Sequence, residues 1–466
     1  MQVMTDCPGS ALVLEPRDEQ GWDNTHMIAF AVEESLFSYP LSLAQLYVLA
    51  RHVFFAQPLR YSLHGILVYG DVVELWVFDR SGMYCSEPFS LRDDYALLVS
   101  IVRVYANKTD EELGVGAVLA KDDVGNYIAA AAAAHNRRLY LEDEAFVDRG
   151  KFFGDGLLCY RAKHANQDDW THVVKLKWRD ANNKPEEDVF NYIQSKMCPG
   201  RSSLQPPSQR CKDLSSDPLH EDPGIKGLLR FAKEGEHFFT PRILTHLVFT
   251  PLGRPLHTWR SILELLTVLW DGIEAHRSLL WDPHVLHRDI SGGNIIIIIR
   301  SAGGTSQGVL IDLDRAMNLD IEHPKGGHFT GTRLFTAIGL LTSDAHTYRH
   351  DLESFFYLFI WLVICQGEEH LPEASETKAW AHDDRFESAN ARRRDMKKDR
   401  FQLVLEQFDA KYEDLKDLTW RLRAALFRPD ENDELQIGTD VTEEGINTLY
   451  DTMIGAFEQE MAKWQN

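Results

Sequence analysis

The chain has 466 residues, of which 44% are hydrophobic, 11% aromatic and 26% charged, the profile of a folded soluble protein rather than a collagenous or disordered one. Forty-nine Lys and Arg against 71 Asp and Glu leave a formal net charge of −22, so no extended nucleic-acid binding is expected. Six scattered cysteines form no CxxC pair, which speaks against a disulfide scaffold or a zinc module.

The length predicts two or three domains at about 150 residues each. Residues 1–55 read as mixed and mostly helical, with SLAQLYVLARHVFFAQ (42–57) carrying apolar residues at helical spacing. The first residues, MQVMTDCPGS, lack a basic stretch followed by an apolar one, so an intracellular protein, cytoplasmic or nuclear, is expected. Residues 62–91 read as two or three antiparallel strands broken by Tyr69-Gly70-Asp71 and Asp79–Gly82. A helix is predicted over 93–106, and the Ala129–Ala134 run reads as a surface helix.

From about 147 the texture changes. FFGDGLLCYRA (152–162) and HVVKLKW (172–178) read as strands and KPEEDVFNYIQSK (184–196) as a helix. Cys198–Gly224, with five prolines and five serines, reads as a disordered insert. Strand texture returns at 237–252, and 261–280 is a buried helix. The apolar run Phe355–Cys365 is 11 residues long, short of the ~20 that span a bilayer, so no membrane partner is expected. RRRDMKKDR (392–400) reads as a solvated helix face because Asp395 and Asp399 interrupt its positive charge. Strands followed by helices give an α+β order.

The informative stretch is His287-Arg288-Asp289-Ile290-Ser291-Gly292-Gly293-Asn294, an HRD tripeptide with an asparagine five residues after the aspartate. In the phosphotransferase signature the aspartate accepts a hydroxyl proton and the asparagine binds magnesium, so one tight loop must aim both. Ile295–Ile299, a Gly-containing turn and GVLIDLD (308–314) predict a hairpin whose second strand ends at Asp312, bringing that carboxylate near Asn294. Two hard oxygen ligands suit Mg²⁺. Gly331-Thr332-Arg333-Leu334-Phe335-Thr336-Ala337 follows, and His350-Asp351-Leu352 opens a helix whose aspartate is placed to bond the HRD backbone.

With LVFTPLGRPL (247–256), GTRLFTAIG (331–339) and HDLESFFY (350–357), these motifs resemble the fungal-type protein kinases, a divergent branch of the protein-kinase-like superfamily. The resemblance implies an α+β, bilobal protein-kinase-like fold with an N-terminal α/β extension. Residues 1–145 would form the extension, 146–256 the kinase N-lobe and 257–466 the helical C-lobe. It further implies ATP and Mg²⁺ as cofactors and phosphoryl transfer to Ser/Thr hydroxyls of a protein substrate of unknown identity. Asp289 would be the catalytic base, with Asn294 and Asp312 the metal ligands. Lys175 would reach the α- and β-phosphates, paired with Glu186. Leu252 and Gly253 would contact the adenine, and Arg288 would bind a segment phosphorylated on Thr330, Thr332 or Thr336.

The sequence departs from the family pattern at four places. Gly150, Gly154 and Gly156, in the expected phosphate-covering loop, do not keep GxGxxG spacing. Ser291 stands where Ser/Thr kinases place a lysine, Asp314 where DFG has glycine, and Gly339 where APE has a structural glutamate. The rival readings are a pseudokinase scaffold that acts through protein binding, which the altered loop and Gly339 favour, and a small-molecule phosphotransferase.

Overall fold

The computed structural model describes the chain except residues 1, 5–9, 15–20, 34–37, 117, 130–137, 150–151, 197–208, 211–213, 216–228, 231–240, 301–303, 328–329, 369, 430–433 and 466. The fold is α+β, and it divides into two compact units, Met1–Lys184 with Pro207–Thr250, and Pro185–Pro206 with Pro251–Asn466.

The first unit holds two sheets. In the N-terminal one, β1 (Met27–Val32) lies parallel to β2 (Ser62–Tyr69), with Met27 opposite His64 and Val32 opposite Tyr69. Parallel neighbours need a crossover, and α1 (Tyr39–Ala56) supplies it, giving the expected α/β character. β3 (Val72–Asp79) pairs antiparallel with β2, and Met83–Ser86 and Phe89–Ser90 both pair with β3, so 62–90 carries four strands rather than two or three. Residues 27–32 were expected within a mostly helical region. MIAFAV is an apolar six-residue run without periodicity, and its place beside β2 makes it a strand. Leu46, Ala50, Val53 and Phe54 of α1 pack on Ile28, Phe30, Leu63, Leu67, Trp76 and Phe78. The helix at Tyr95–Ala106 follows, while the Ala129–Ala134 run ends a strand at Ala129 and otherwise lies outside the described residues.

The second sheet is antiparallel and centres on β4 (Leu157–His164), β5 (His172–Asp180) and β6 (Arg242–Phe249). Alternate residues Leu158, Ala162, Val174, Leu176 and Val248 form its core face. Most of the predicted insert at 198–224 lies outside the described residues.

The second unit begins with α2 (Glu186–Lys196) and is mostly helical. α3 (Ile262–Trp281) is capped by Ser261, whose hydroxyl accepts the Glu264 N–H at 3.1 Å. β7 (Ile295–Ile299) and β8 (Ser306–Leu310) form the predicted hairpin. The second strand stops at Leu310 rather than Asp312, because Asp312 adopts φ 67°, a left-handed conformation that ends an extended strand. α4 (Tyr348–Cys365) is buried at every position except Trp361, so it is a core helix rather than an amphipathic one. Among the described residues no helix is long and apolar enough to cross a membrane. α5 (Arg385–Asp395) begins at an Asp384 cap and departs from the expected solvated face. Arg392 is 0% and Asp395 2% exposed, because each has found buried polar partners.

Candidate active site

The site is assembled where α3 ends and the 287–294 loop begins. His287 is fully buried, and burial holds its imidazole below its ordinary pKa. As a neutral ring it bridges two segments: Nε2–H donates to the Ile311 carbonyl at 3.0 Å, and Nδ1 accepts the Asp289 N–H at 3.3 Å. Arg288 sits at φ 69°, and its N–H donates to Asp351 Oδ2 at 3.1 Å. That is the contact anticipated for an aspartate at the start of α4. Burial lowers the pKa of the Arg288 guanidinium, with Asp351 and Glu322 opposing the shift.

Asp351 is 1% exposed and belongs to a wider network. Oδ2 also accepts from His276 Nε2 at 2.8 Å and Oδ1 from His346 Nε2 at 2.7 Å, while His276 Nδ1 meets the Tyr450 hydroxyl at 2.7 Å. Burial pushes the Asp351 carboxyl up, but His346 and His276 overrule it and hold the pKa well below the usual carboxylate range. His276 escaped the sequence reading because a histidine on the apolar face of a long helix carries no motif.

Asp289 is half-buried, and its Oδ1 accepts two bonds from Thr332, the backbone N–H at 3.0 Å and the hydroxyl at 3.1 Å. Gly331 is what lets this segment approach. At φ +107° a Cβ there would lie 2.9 Å from the Arg288 carbonyl. Asn294, 8% exposed, donates from Nδ2 to the Asp289 carbonyl at 2.8 Å, leaving Oδ1 on the opposite side of the amide as an acceptor. The Asn294 carbonyl accepts the Ile311 N–H at 2.9 Å, so Asp289, Asn294 and the start of the 311–314 turn form one hydrogen-bonded frame.

Within that turn, Glu186 on α2 is 5% exposed, and its Oε1 accepts the Leu313 N–H at 3.0 Å. One oxygen from each of Glu186, Asp312 and Asp314 lies within 4.8 Å of the others. The carboxylates gathered beside Asp312 are therefore Glu186 and Asp314, the latter at the position where DFG carries glycine. Together with Asn294 Oδ1 they are oxygen donors only, a set that fits a hard divalent cation such as Mg²⁺.

Lys175 lies in the first unit, 8% exposed on β5, between Cys159 and Leu247 in register. Gly154 and Gly156 precede β4, whereas Gly150 lies outside the described residues. Leu252 and Gly253 lie at the start of the Pro251–Asn466 stretch of the second unit, and a Cβ on Gly253 would meet Ile296 Cδ1 at 2.7 Å, so a larger residue there would have to displace the Ile296 side chain.

The 331–339 segment is fastened by residues that sequence reasoning did not single out. Arg392 donates to the carbonyls of Thr336 at 3.1 Å, Arg333 at 2.8 Å, Leu334 at 3.0 Å and Trp380 at 3.0 Å, and its guanidinium lies 4.8 Å from the Tyr357 ring. Glu353, fully buried, accepts the Ile338 N–H at 2.7 Å, the Tyr357 hydroxyl at 2.8 Å and Arg349 Nη1 at 2.7 Å. Gly339 has no room for the glutamate of the APE pattern, since a Cβ would sit 2.5 Å from Asp344 Oδ2 and 2.6 Å from His350 Nε2. The Arg349–Glu353 pair one helix away holds the segment through the neighbouring residue, Ile338.

A sequence model of the fungal protein kinase family matches residues 13–204 and 196–363. Among solved structures, that of vaccinia related kinase 3 is similar at 12% identity and a TM-score of 0.39, covering 74% of this chain and 90% of that one. No curated protein matches the sequence. With the family match extending over more than half of its length, the chain belongs to the fungal protein kinase family.

Proposed function

We propose that the protein transfers the γ-phosphoryl group of ATP to Ser or Thr hydroxyls of a protein substrate. One observation carries the reading. Asp289, Asn294 and the Ile311–Asp314 turn share a hydrogen-bonded frame, Asn294 Nδ2 to Asp289 O and Ile311 N to Asn294 O, which supports a hydroxyl-orienting carboxylate beside a set of metal-binding oxygens. Asp312, together with Asp314 and Asn294 Oδ1, would hold Mg²⁺, and the bound ion would neutralise charge on the transferring phosphates. Asp289 would orient the acceptor hydroxyl and take its proton through the oxygen that Thr332 does not occupy. Lys175 would bind the α- and β-phosphates, and Leu252 and Gly253 would contact the adenine.

Transfer is then mostly positioning and charge neutralisation. Rigidity in the loop is what the reading requires, and the Asp351 and His287 bonds supply it. A protein acceptor is favoured over a small molecule by the 331–339 segment. Its backbone is pinned by Arg392 and Glu353 into a fixed platform on which a peptide would lie.

The test is transfer from γ-labelled ATP with Mg²⁺ to a Ser/Thr peptide library, run beside free sugars and aminoglycosides. Label on peptides supports the proposal. Label on small molecules alone replaces it with the small-molecule reading. Stabilisation by nucleotide without any transfer replaces it with a scaffold.

A further inference from the structure

The loop expected to cover the phosphates has an unusual destination. Strand Val147–Arg149 pairs antiparallel with β4, Asp148 opposite Leu158, and the described residues Phe152–Gly156 lead into β4. Phe152 leaves its own sheet and enters the core of the N-terminal α/β sheet, where it is 5% exposed among Leu46, Val53, Phe54 and Phe78. Its ring lies 4.8 Å from Phe54, 5.1 Å from Tyr47 and 6.1 Å from Phe78. Phe153 stacks on it at 4.1 Å and faces Tyr47 at 6.0 Å.

The backbone follows the side chains. Gly154 N–H donates to the Arg80 carbonyl at 3.3 Å, Gly156 N–H to the Gly154 carbonyl at 2.9 Å, and the Gly156 carbonyl accepts Trp178 N–H at 3.0 Å. Arg80, 1% exposed, fixes the other side, with its guanidinium 4.6 Å from the Phe54 ring and 5.3 Å from Trp178. A phosphate-cradling loop works by offering N–H groups to the anion. Here the N–H groups of Gly154 and Gly156 are engaged by protein carbonyls, Phe152 is buried in the neighbouring core and the half-buried Phe153 packs against it.

We propose that the N-terminal α/β sheet restrains this loop, with Phe152 as its anchor, so that nucleotide must compete with the burial of Phe152 for the loop. The inference rests on the phosphotransferase reading above. Phe152 is a positioning residue in this scheme, and Tyr47, in the N-terminal sheet's own helix, is its counterpart. The apparent nucleotide affinity equals the intrinsic affinity multiplied by the fraction of molecules with the loop released. Loss of a buried aromatic anchor shifts such a balance by about ten- to a hundredfold.

The experiment measures the dissociation constant for ATP with Mg²⁺ in the full chain and in Phe152→Ala, Phe152→Leu and Tyr47→Ala, with hydrogen exchange of residues 152–156 read in parallel. Phe152→Ala should bind nucleotide about ten- to a hundredfold more tightly. Tyr47→Ala should shift the same way by a smaller factor, and Phe152→Leu, which still fills the apolar seat, should stay near the wild type. Faster exchange at 152–156 should accompany the gain. Tyr47→Ala leaves the loop's own residues intact and carries the test if Phe152→Ala does not fold. Equal or weaker nucleotide binding in the released variants overturns the restraint while leaving the phosphotransferase reading standing. No nucleotide binding by any of the four proteins overturns both.

Discussion

Asp351→Asn tests the network under the 287–294 loop. The wild-type carboxylate accepts three bonds, from Arg288 N–H at 3.1 Å, His276 Nε2 at 2.8 Å and His346 Nε2 at 2.7 Å, at a site 1% exposed. A carboxamide keeps the shape but loses the charge and one acceptor. Placed with its oxygen where Oδ2 was, it retains the Arg288 and His276 bonds as neutral ones, and its NH₂ faces His346. Charge-assisted bonds are worth about 1.5–3 kcal/mol and neutral ones about 0.5–1.5 kcal/mol, so each of the two retained bonds costs roughly 1 kcal/mol and the lost His346 bond about 1.5–3 kcal/mol, roughly 3–5 kcal/mol in all. Asp351→Ala, which leaves all three donors unpaired in the interior, should cost more.

The assay is calorimetric unfolding of each variant together with phosphoryl transfer. The effect has a pH signature. The folded-state pKa of Asp351 lies below its ordinary value of 3.8, so its stabilisation is fully present above that value and is lost as pH falls through the folded-state pKa. The gap between wild type and Asp351→Asn should therefore be constant from neutral pH down to about 4 and narrow below it. An Asp351→Asn protein that unfolds within about 1 kcal/mol of the wild type at neutral pH would refute this account of the network.

Further expectations follow from the 331–339 segment. Gly339→Glu, which restores the family pattern in sequence, should destabilise by about 1–3 kcal/mol or more, because its Cβ meets Asp344 and His350; a gain in melting temperature would contradict the packing. Arg392→Ala should cost about 3–5 kcal/mol by leaving buried carbonyls without their donor, and should expose residues 333–336 to limited proteolysis; unchanged cleavage there would show that the guanidinium does not fasten the segment. Thr332→Val removes the hydroxyl from Asp289 while keeping the backbone N–H bond. Turnover should fall about tenfold with stability within about 1 kcal/mol of wild type, and a melting-temperature drop without a turnover change would assign Thr332 a purely structural part.

What could be read in advance divides along physical lines. The HRD loop, the asparagine five residues on, the hairpin behind it and the bond from Asp351 to the loop were legible because tight turns impose short, fixed spacings. The apolar strands and helices were legible from periodicity, except Met27–Val32, whose short unbroken run suits a buried strand or a helix equally until a neighbour is known. Arg392, Glu353 and His276 were not legible. A helical arginine between other charges looks solvated, and its burial depends on carbonyls about 56 residues away. Gly339 signalled a missing glutamate, but nothing local indicated that Glu353 would take the Ile338 N–H. Phe152 read as part of a strand, and only the fold reveals that the N-terminal core receives it.

The central claim is that Asp289 orients the acceptor hydroxyl for transfer. The most direct measurement is turnover of Asp289→Asn against the wild type, with ATP and Mg²⁺ saturating and folding checked by calorimetry. The account predicts a loss of about 10²–10⁴ in rate, with nucleotide binding retained. Transfer at the wild-type rate by the folded Asn variant would contradict it.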